Sequence, residues 1–130
     1  MITERTNPFE RLFEDALGRR RTVAMDVVES EKGYTVILDV PGFTMEDIEV
    51  TALGDEVRFK GERRLQEPAE GERHHLRGRS ALRFDEVVRF PVPVAVDSIE
   101  ASLADGVLSV RIPKAQAALP RRIELKKTNG

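Results

Sequence analysis

The sequence predicts an all-β fold, an antiparallel β-sandwich. Apolar and polar residues alternate with a period of two along most of the chain, as in strands with one buried face. The alternating stretches are short, and turn residues separate them roughly every 8–12 positions. The 130 residues suffice for one core with short appendages. We therefore expect an arm at residues 1–22, a sandwich domain at 23–114 and an extension at 115–130.

The first half of the predicted domain contains four strands, each closed by a turn signal. Residues 23–28 end at a polar turn around Gly33, and residues 34–40 end at Pro41-Gly42. A capping-type turn at 44–47 precedes a strand at 48–53. Gly54-Asp55 then turns the chain into a strand at 56–63.

The second half begins with a long polar loop, residues 64–80, which contains Pro68 and Gly71. Three more strands are predicted after it, at 81–90, 98–104 and 107–112, with an Asp105-Gly106 turn between the last two. Unstructured insertions of this length usually have a function.

The arm has helical rather than strand periodicity. Its apolar residues fall on one helical face, after a plausible start at Asn7-Pro8: Phe9, Leu12, Phe13, Ala16 and Leu17. Two interpretations are open. The arm is either a short helix docked on the domain or an exposed adhesive segment, because so few apolar residues bury poorly on an isolated short helix.

The extension carries two large aliphatic residues beyond the last strand. Ile123 and Leu125 lie two positions apart, so they face the same way in an extended chain. Pro120 disfavours a helix just before them. The pair either fills a groove on another subunit by strand addition or folds back on its own sheet.

Composition excludes several classes of function. A formal net charge of −2 gives no electrostatic reason for binding nucleic acid or a membrane surface. The absence of cysteine excludes a disulfide framework and suits a reducing, cytoplasmic location. No apolar run is long enough to span a bilayer. Sequence motifs for phosphate binding or hydrolysis are absent, and the adjacent His74 and His75 are poorly placed to share a metal. We expect no enzyme activity, no cofactor and no metal.

Several motifs, in order along the chain, resemble those of the small heat-shock proteins, the alpha-crystallin family. Residues 101–108, with Ala101, Gly106, Val107 and Leu108, resemble the A-x-x-x-x-G-V-L signature. Ile123-Glu124-Leu125 resembles the C-terminal I-x-I motif. Residues 39–43, 61–63 and 84–91 resemble three further family stretches, and residues 7–13 are similar to the start of many bacterial members.

The resemblance implies an ATP-independent holdase chaperone with an immunoglobulin-like sandwich. Its partners would be partly unfolded client proteins, bound through arm residues Phe9, Leu12, Phe13 and Leu17, and ATP-dependent chaperones acting downstream. The resemblance also implies a homodimer or a higher oligomer. Subunits would exchange a strand from the long loop, at His74, His75, Leu76, Arg77, Gly78 and Arg79. The tail motif would dock in a groove lined by Val50, Ala52, Ile99, Ala101 and Leu103.

Three departures from the family pattern stand out. Leu125 replaces the second Ile of the tail motif, Val88 stands where Phe is frequent, and Glu86 stands where the family usually has Arg. The Glu86 difference inverts a charge near the implied dimer contact, so an ion pair there is lost or rebuilt. The arm of about 22 residues is short, which favours small assemblies, down to dimers. A rival interpretation is a p23-type adaptor or co-chaperone, which would lack a self-docking tail.

Overall fold

The computed structural model describes residues 23–120 and 122–128. The predicted arm and its four client-binding residues lie outside this described part. Within it, seven strands account for most of the regular structure: β1 (Met25–Glu29), β2 (Gly33–Asp39), β3 (Ile48–Leu53), β4 (Glu56–Arg63), β5 (Leu82–Arg89), β6 (Glu100–Ala104) and β7 (Val107–Pro113). Short 3₁₀ turns lie at Met45–Asp47, Val96–Ser98 and Gln116–Ala118.

The strands form two antiparallel sheets, as the alternation predicted. One sheet has the order β1-β2-β7-β6 and the other has the order β3-β4-β5. Their inner faces contribute to one cluster of buried apolar residues. The predicted all-β antiparallel sandwich is confirmed.

Alternation of burial along β2 and β4 shows where the core lies. Val36 and Leu38 on β2 and Val57 and Phe59 on β4 are fully buried, while most of the residues between them reach solvent. Fully burying an aliphatic or aromatic side chain of this size contributes about 1.5–3 kcal/mol. The central strands of the two sheets therefore supply much of the stabilising free energy.

The stacking of the sheets is fixed by aromatic contacts. Phe90, which directly follows β5, packs on Tyr34 of β2 with ring centroids 4.4 Å apart. The β5 side of one sheet therefore covers the β2 side of the other. In an aligned sandwich, the β3 edge then lies toward β6, and the β5 edge lies toward β1.

Two turns have the local chemistry that the sequence predicted. At the 3₁₀ turn after β2, the Asp47 carboxylate accepts hydrogen bonds from the Thr44 backbone N–H at 2.8 Å and from its hydroxyl at 3.0 Å. Asp105 and Gly106 have φ angles of +53° and +74°, which suits the tight turn between β6 and β7. The predicted strand at 98–104 begins later than expected, because Val96–Ser98 forms a 3₁₀ turn.

Gly61 is required by close packing. A Cβ atom on Gly61 would lie 2.4 Å from Cε1 of Phe84, and the Phe84 ring packs against Phe43 with centroids 5.4 Å apart. Overpacking of this kind destabilises a core by about 1–3 kcal/mol. We predict that Gly61→Ala lowers the free energy of unfolding, measured by urea denaturation, by about 1–3 kcal/mol or more.

The matched control is Gly78→Ala in the long loop, where an added Cβ would meet no atom within 4 Å. Its free energy of unfolding should stay within about 0.5 kcal/mol of the unmodified protein's value. Equal midpoints for the two variants would contradict the packing assigned to Gly61.

Tyr34 gives a spectroscopic reporter of the fold because the sequence contains one tyrosine and no tryptophan. Burial, with the charge and hydrogen bond of Glu29 adding to it, raises the pKa of the Tyr34 hydroxyl to about 12. Because this pKa exceeds the ordinary value of 10, the protonated Tyr34 hydroxyl contributes fully to the free energy of unfolding below pH 10. This contribution is lost as the pH rises through 12.

We predict that tyrosinate absorbance of the folded protein titrates near pH 12, against about 10 in denaturant. The free energy of unfolding should decrease as the pH is raised from about 10 to about 12. A folded-state midpoint near pH 10 would show that Tyr34 is not buried beside Glu29.

Candidate interaction surfaces

The five residues predicted to line the tail groove map onto the edges of the two sheets. β3 is an edge strand of one sheet and β6 is an edge strand of the other. Four of the five residues are half-buried and pack against the core: Val50, Ala52, Ile99 and Leu103. Ala101 shares their face by alternation but is exposed. The two edges therefore present a shallow apolar strip with an alanine on each strand, and its use by the tail stays a prediction.

The tail motif is available for contact. Residues 122–128 have no regular secondary structure, and the side chains of Ile123 and Leu125 are 82% and 92% exposed. In the single chain the motif is therefore not packed on its own sheet. Each side chain would gain about 1.5–3 kcal/mol from full burial.

The long loop, residues 64–80, contains no strand in the single chain. Leu76 is 86% exposed, and the other five predicted exchange residues are also exposed. The loop nevertheless has internal contacts. Arg77 Nη2 lies 2.9 Å from Oε1 of Glu67, and Glu72 Oε1 accepts a hydrogen bond from the Ala69 N–H at 2.8 Å. It is thus an exposed segment with a partly fixed shape.

The edge at β1 and residues 73–79 of the long loop have opposite charges. β1 is an edge strand, and acidic side chains lie on it and in the following turn, at Asp26, Glu29 and Glu31. Residues 73–79 carry three arginines and two histidines. Opposite charges on two extended segments favour their pairing and oppose self-pairing of either one.

Glu86 lies on an inner-facing position of β5. It alternates with the buried Phe84 and Val88, is opposite Phe59 on β4, and is itself half-buried. The inverted charge is therefore at the β5 edge that lies toward β1. Val88, the other departure in this stretch, is a core residue.

The family signature is a structural element rather than a reactive one. Leu108 is buried in the core, Ala101 is opposite Val110 in the β6–β7 ladder, and Gly106 has the positive φ of the turn. These residues shape the edge strand that carries half of the apolar strip.

The outer face of the β3-β4-β5 sheet is covered by ion pairs. Arg58 donates two hydrogen bonds to Asp85, of 2.7 and 2.5 Å, and Arg89 pairs with Glu56. The hydrogen bond from Arg58 lowers the pKa of Asp85. This face is mostly charged, although Leu53 and Val87 are also exposed on it.

The described residues hold no group of three or more His, Asp or Glu side chains that could bind a metal ion. Among them there is also no helix with the length and apolarity needed to cross a membrane.

The interaction features that sequence reasoning missed depend on strand pairing. The acidic β1 edge was visible as composition, but its position at a sheet edge was not. Arg63 lies in the family-like stretch 61–63, and its hydrogen bonds to the carbonyl oxygens of Pro41 and Ser80 gave no sequence signal.

Comparison with known proteins agrees with this geometry. The family model described as "Hsp20/alpha crystallin family" matches residues 26–126. The chain belongs to this family. The matched region contains β1 from its second residue, all of β2 to β7, and the tail motif.

Similar proteins include bacterial ones. The chain is 35% identical over 102 residues to "Spore protein SP21" of Stigmatella aurantiaca, covering 78% of this chain and 60% of that protein. It is 27% identical over 101 residues to "Small heat shock protein C2" of Rickettsia felis, covering 78% of this chain and 66% of that protein. The chain thus spans about three fifths to two thirds of the length of these curated relatives.

Solved structures show the same fold. Heat shock protein 16.0 from Schizosaccharomyces pombe superposes with a TM-score of 0.65 and 25% identity, covering 81% of this chain and 97% of that chain. A small heat-shock protein from Xylella fastidiosa gives 0.63 and 31%, covering 81% and 96%. The comparisons support a small heat-shock protein, a class that is not an enzyme class, and do not support the p23-type alternative.

Proposed function

We propose that the protein is an ATP-independent holdase chaperone, which binds partly unfolded proteins and prevents their aggregation under heat or other stress. The observation that carries this proposal is the combination of a closed β core with large apolar side chains left exposed on extended segments, at Leu76, Ile123 and Leu125. Partly unfolded clients expose apolar surface and strand edges. A folded scaffold with apolar segments of its own can cover such surfaces without unfolding.

Solubility of the complex follows from the charged surface. The protein is 34% charged residues, and the outer sheet face is covered by ion pairs. Charges of mixed sign on the surface limit non-specific association. Clients held in this way would be refolded by separate ATP-dependent chaperones, and the location that suits this role is the cytoplasm.

Self-association would use the long loop. We infer that residues 74–79 of one copy pair with the free edge of β1 in a second copy, giving a homodimer. The opposite charges of the two segments support this pairing. Glu86, at the edge toward β1, is suited to accept hydrogen bonds from arginines of the incoming loop, which would rebuild with reversed polarity the ion pair implied by the family resemblance.

Larger assemblies would use the tail. Burying Ile123 and Leu125 of one copy on the strip between β3 and β6 of another would remove both from water. Arg122, Lys126 and Lys127 flank the motif, and Glu49 and Glu100 lie on the receiving strands. Several weak contacts of this kind reinforce one another in a symmetric assembly. The Xylella fastidiosa relative is described as having "a distinct high order structure".

The proposed activity is tested with a heat-labile client such as citrate synthase, without nucleotide. We predict that light scattering of the heated client falls as the protein is added. An equal mass of serum albumin is the control. Scattering that is unchanged by the protein would contradict the proposal.

The role of the tail is tested by replacing both aliphatic residues in the full chain. The variant Ile123→Ser/Leu125→Ser should lose assemblies larger than the dimer in native mass spectrometry, because the buried apolar area is lost. The dimer and the unfolding midpoint should be unchanged.

The matched control is Glu124→Ser, which changes the residue between the two and keeps both aliphatic side chains. It should retain the unmodified protein's mass distribution. If the double variant retained it as well, the tail would not hold the subunits together.

A further inference from the structure

Arg63 lies at the base of the long loop. It is the last residue of β4 and is paired with Leu82, the first residue of β5. The loop therefore leaves and re-enters the sandwich at one place. Whatever fixes this base determines the direction in which the loop projects.

The guanidinium group of Arg63 joins two segments that are distant in sequence. Its Nη1 donates to the carbonyl oxygen of Pro41 at 3.0 Å, and its Nη2 donates to the carbonyl oxygen of Ser80 at 2.6 Å. Ser80 is the last residue of the long loop, and Pro41 belongs to the turn after β2. A planar guanidinium holds two acceptors in a fixed relative geometry, which a flexible ammonium does not.

The Pro41 end of this link is anchored to the core. Val40, which is fully buried, donates its N–H to the carbonyl oxygen of Gly106 at 2.7 Å. Gly42 has a φ angle of +78°, and a Cβ there would lie 3.0 Å from Cδ of Arg63. The turn thus gives the Arg63 side chain a rigid acceptor and a surface against which it rests.

The Nε–H of Arg63 is buried and has no acceptor among the described residues. A buried donor without an acceptor is unfavourable for folding. The unpaired Nε–H lowers the stability that Arg63 can contribute. The two hydrogen bonds to the carbonyl oxygens of Pro41 and Ser80, here called the fork, therefore explain the arginine at this position better.

We propose that Arg63 is a positioning residue that sets the direction of the long loop and so presents residues 74–79 to a second copy of the chain. This inference rests on the loop-exchange dimer proposed above. Ordering a loose segment on binding consumes free energy that would otherwise appear as affinity. A loop that is already fixed at its base needs less ordering free energy when the dimer forms, so the dimer binds more tightly.

The test is the charge-conserving variant Arg63→Lys in the full chain, with Arg64→Lys as the control. Arg64 is adjacent, and its only recorded partner among the described residues is Glu62, at 3.4 Å. Sedimentation velocity should give a dimer dissociation constant about tenfold higher for Arg63→Lys and unchanged for Arg64→Lys. Both variants should unfold cooperatively in urea, and the midpoint of Arg64→Lys should match that of the unmodified protein.

A second measurement reports on the loop without the dimer. Because the chain has no cysteine, dyes can be attached at Leu76→Cys and Thr51→Cys, both exposed positions. Dilution to picomolar concentration favours the monomer by mass action, and single-molecule energy transfer then reads the loop position. Arg63→Lys should broaden or shift the transfer distribution, and Arg64→Lys should not.

The two measurements separate the possible failures. If the unmodified protein forms no dimer, the proposed exchange is wrong, while the transfer distribution still tests Arg63. If Arg63→Lys leaves both the transfer distribution and the dissociation constant unchanged, the positioning role is overturned. A broadened distribution with an unchanged dissociation constant would overturn the link from loop direction to dimer formation.

Discussion

The seven strands complete the hydrophobic core without the tail or the long loop. The exposure of these two segments depends on that constraint. The strands from β1 to β7 bury one another's inner faces in a single cluster. The half-buried strip at the β3 and β6 edges is not covered by the chain's own tail, because Ile123 and Leu125 are exposed. Two stacked sheets still leave four strand edges, and unpaired edges tend to recruit other strands. Leu76, Ile123 and Leu125 are exposed in the single chain, and under the proposed function their partners are other copies or unfolded clients.

Three of the stretches that carry the family resemblance, residues 39–43, 61–63 and 101–108, meet at one end of the sandwich. Pro41 and Gly42 form the turn after β2, Gly106 accepts a hydrogen bond from the residue before Pro41, and Arg63 reaches the Pro41 carbonyl. Ser80 at the base of the long loop is held by the same arginine. Short motifs scattered over about 65 residues of sequence thus describe one structural junction, because each supplies a turn, a close approach or a donor.

The sequence predicted well the features that depend on neighbouring residues, and poorly those that depend on contacts between distant segments. The bounds of β3 and β4 were predicted correctly, since their alternation is strict and Gly54-Asp55 separates them. The start of β1 was placed two residues early, because Val23 is buried without joining a ladder. Sheet order, the inner-facing position of Glu86 and the fork of Arg63 depend on pairing between distant segments, which alternation does not encode. Ala101 is exposed on the otherwise half-buried face of β6. This exposure likewise depends on how closely the other sheet packs beside the β6 edge.

The central claim is that apolar side chains at both termini hold clients while the sandwich only carries them. The most direct test replaces Phe9, Leu12, Phe13, Leu17, Ile123 and Leu125 by Ser together in the full chain, and measures client scattering at constant protein concentration. The account predicts that most of the protection is lost while the circular dichroism and unfolding midpoint of the β domain are retained. Full protection by a folded variant of this kind would contradict it.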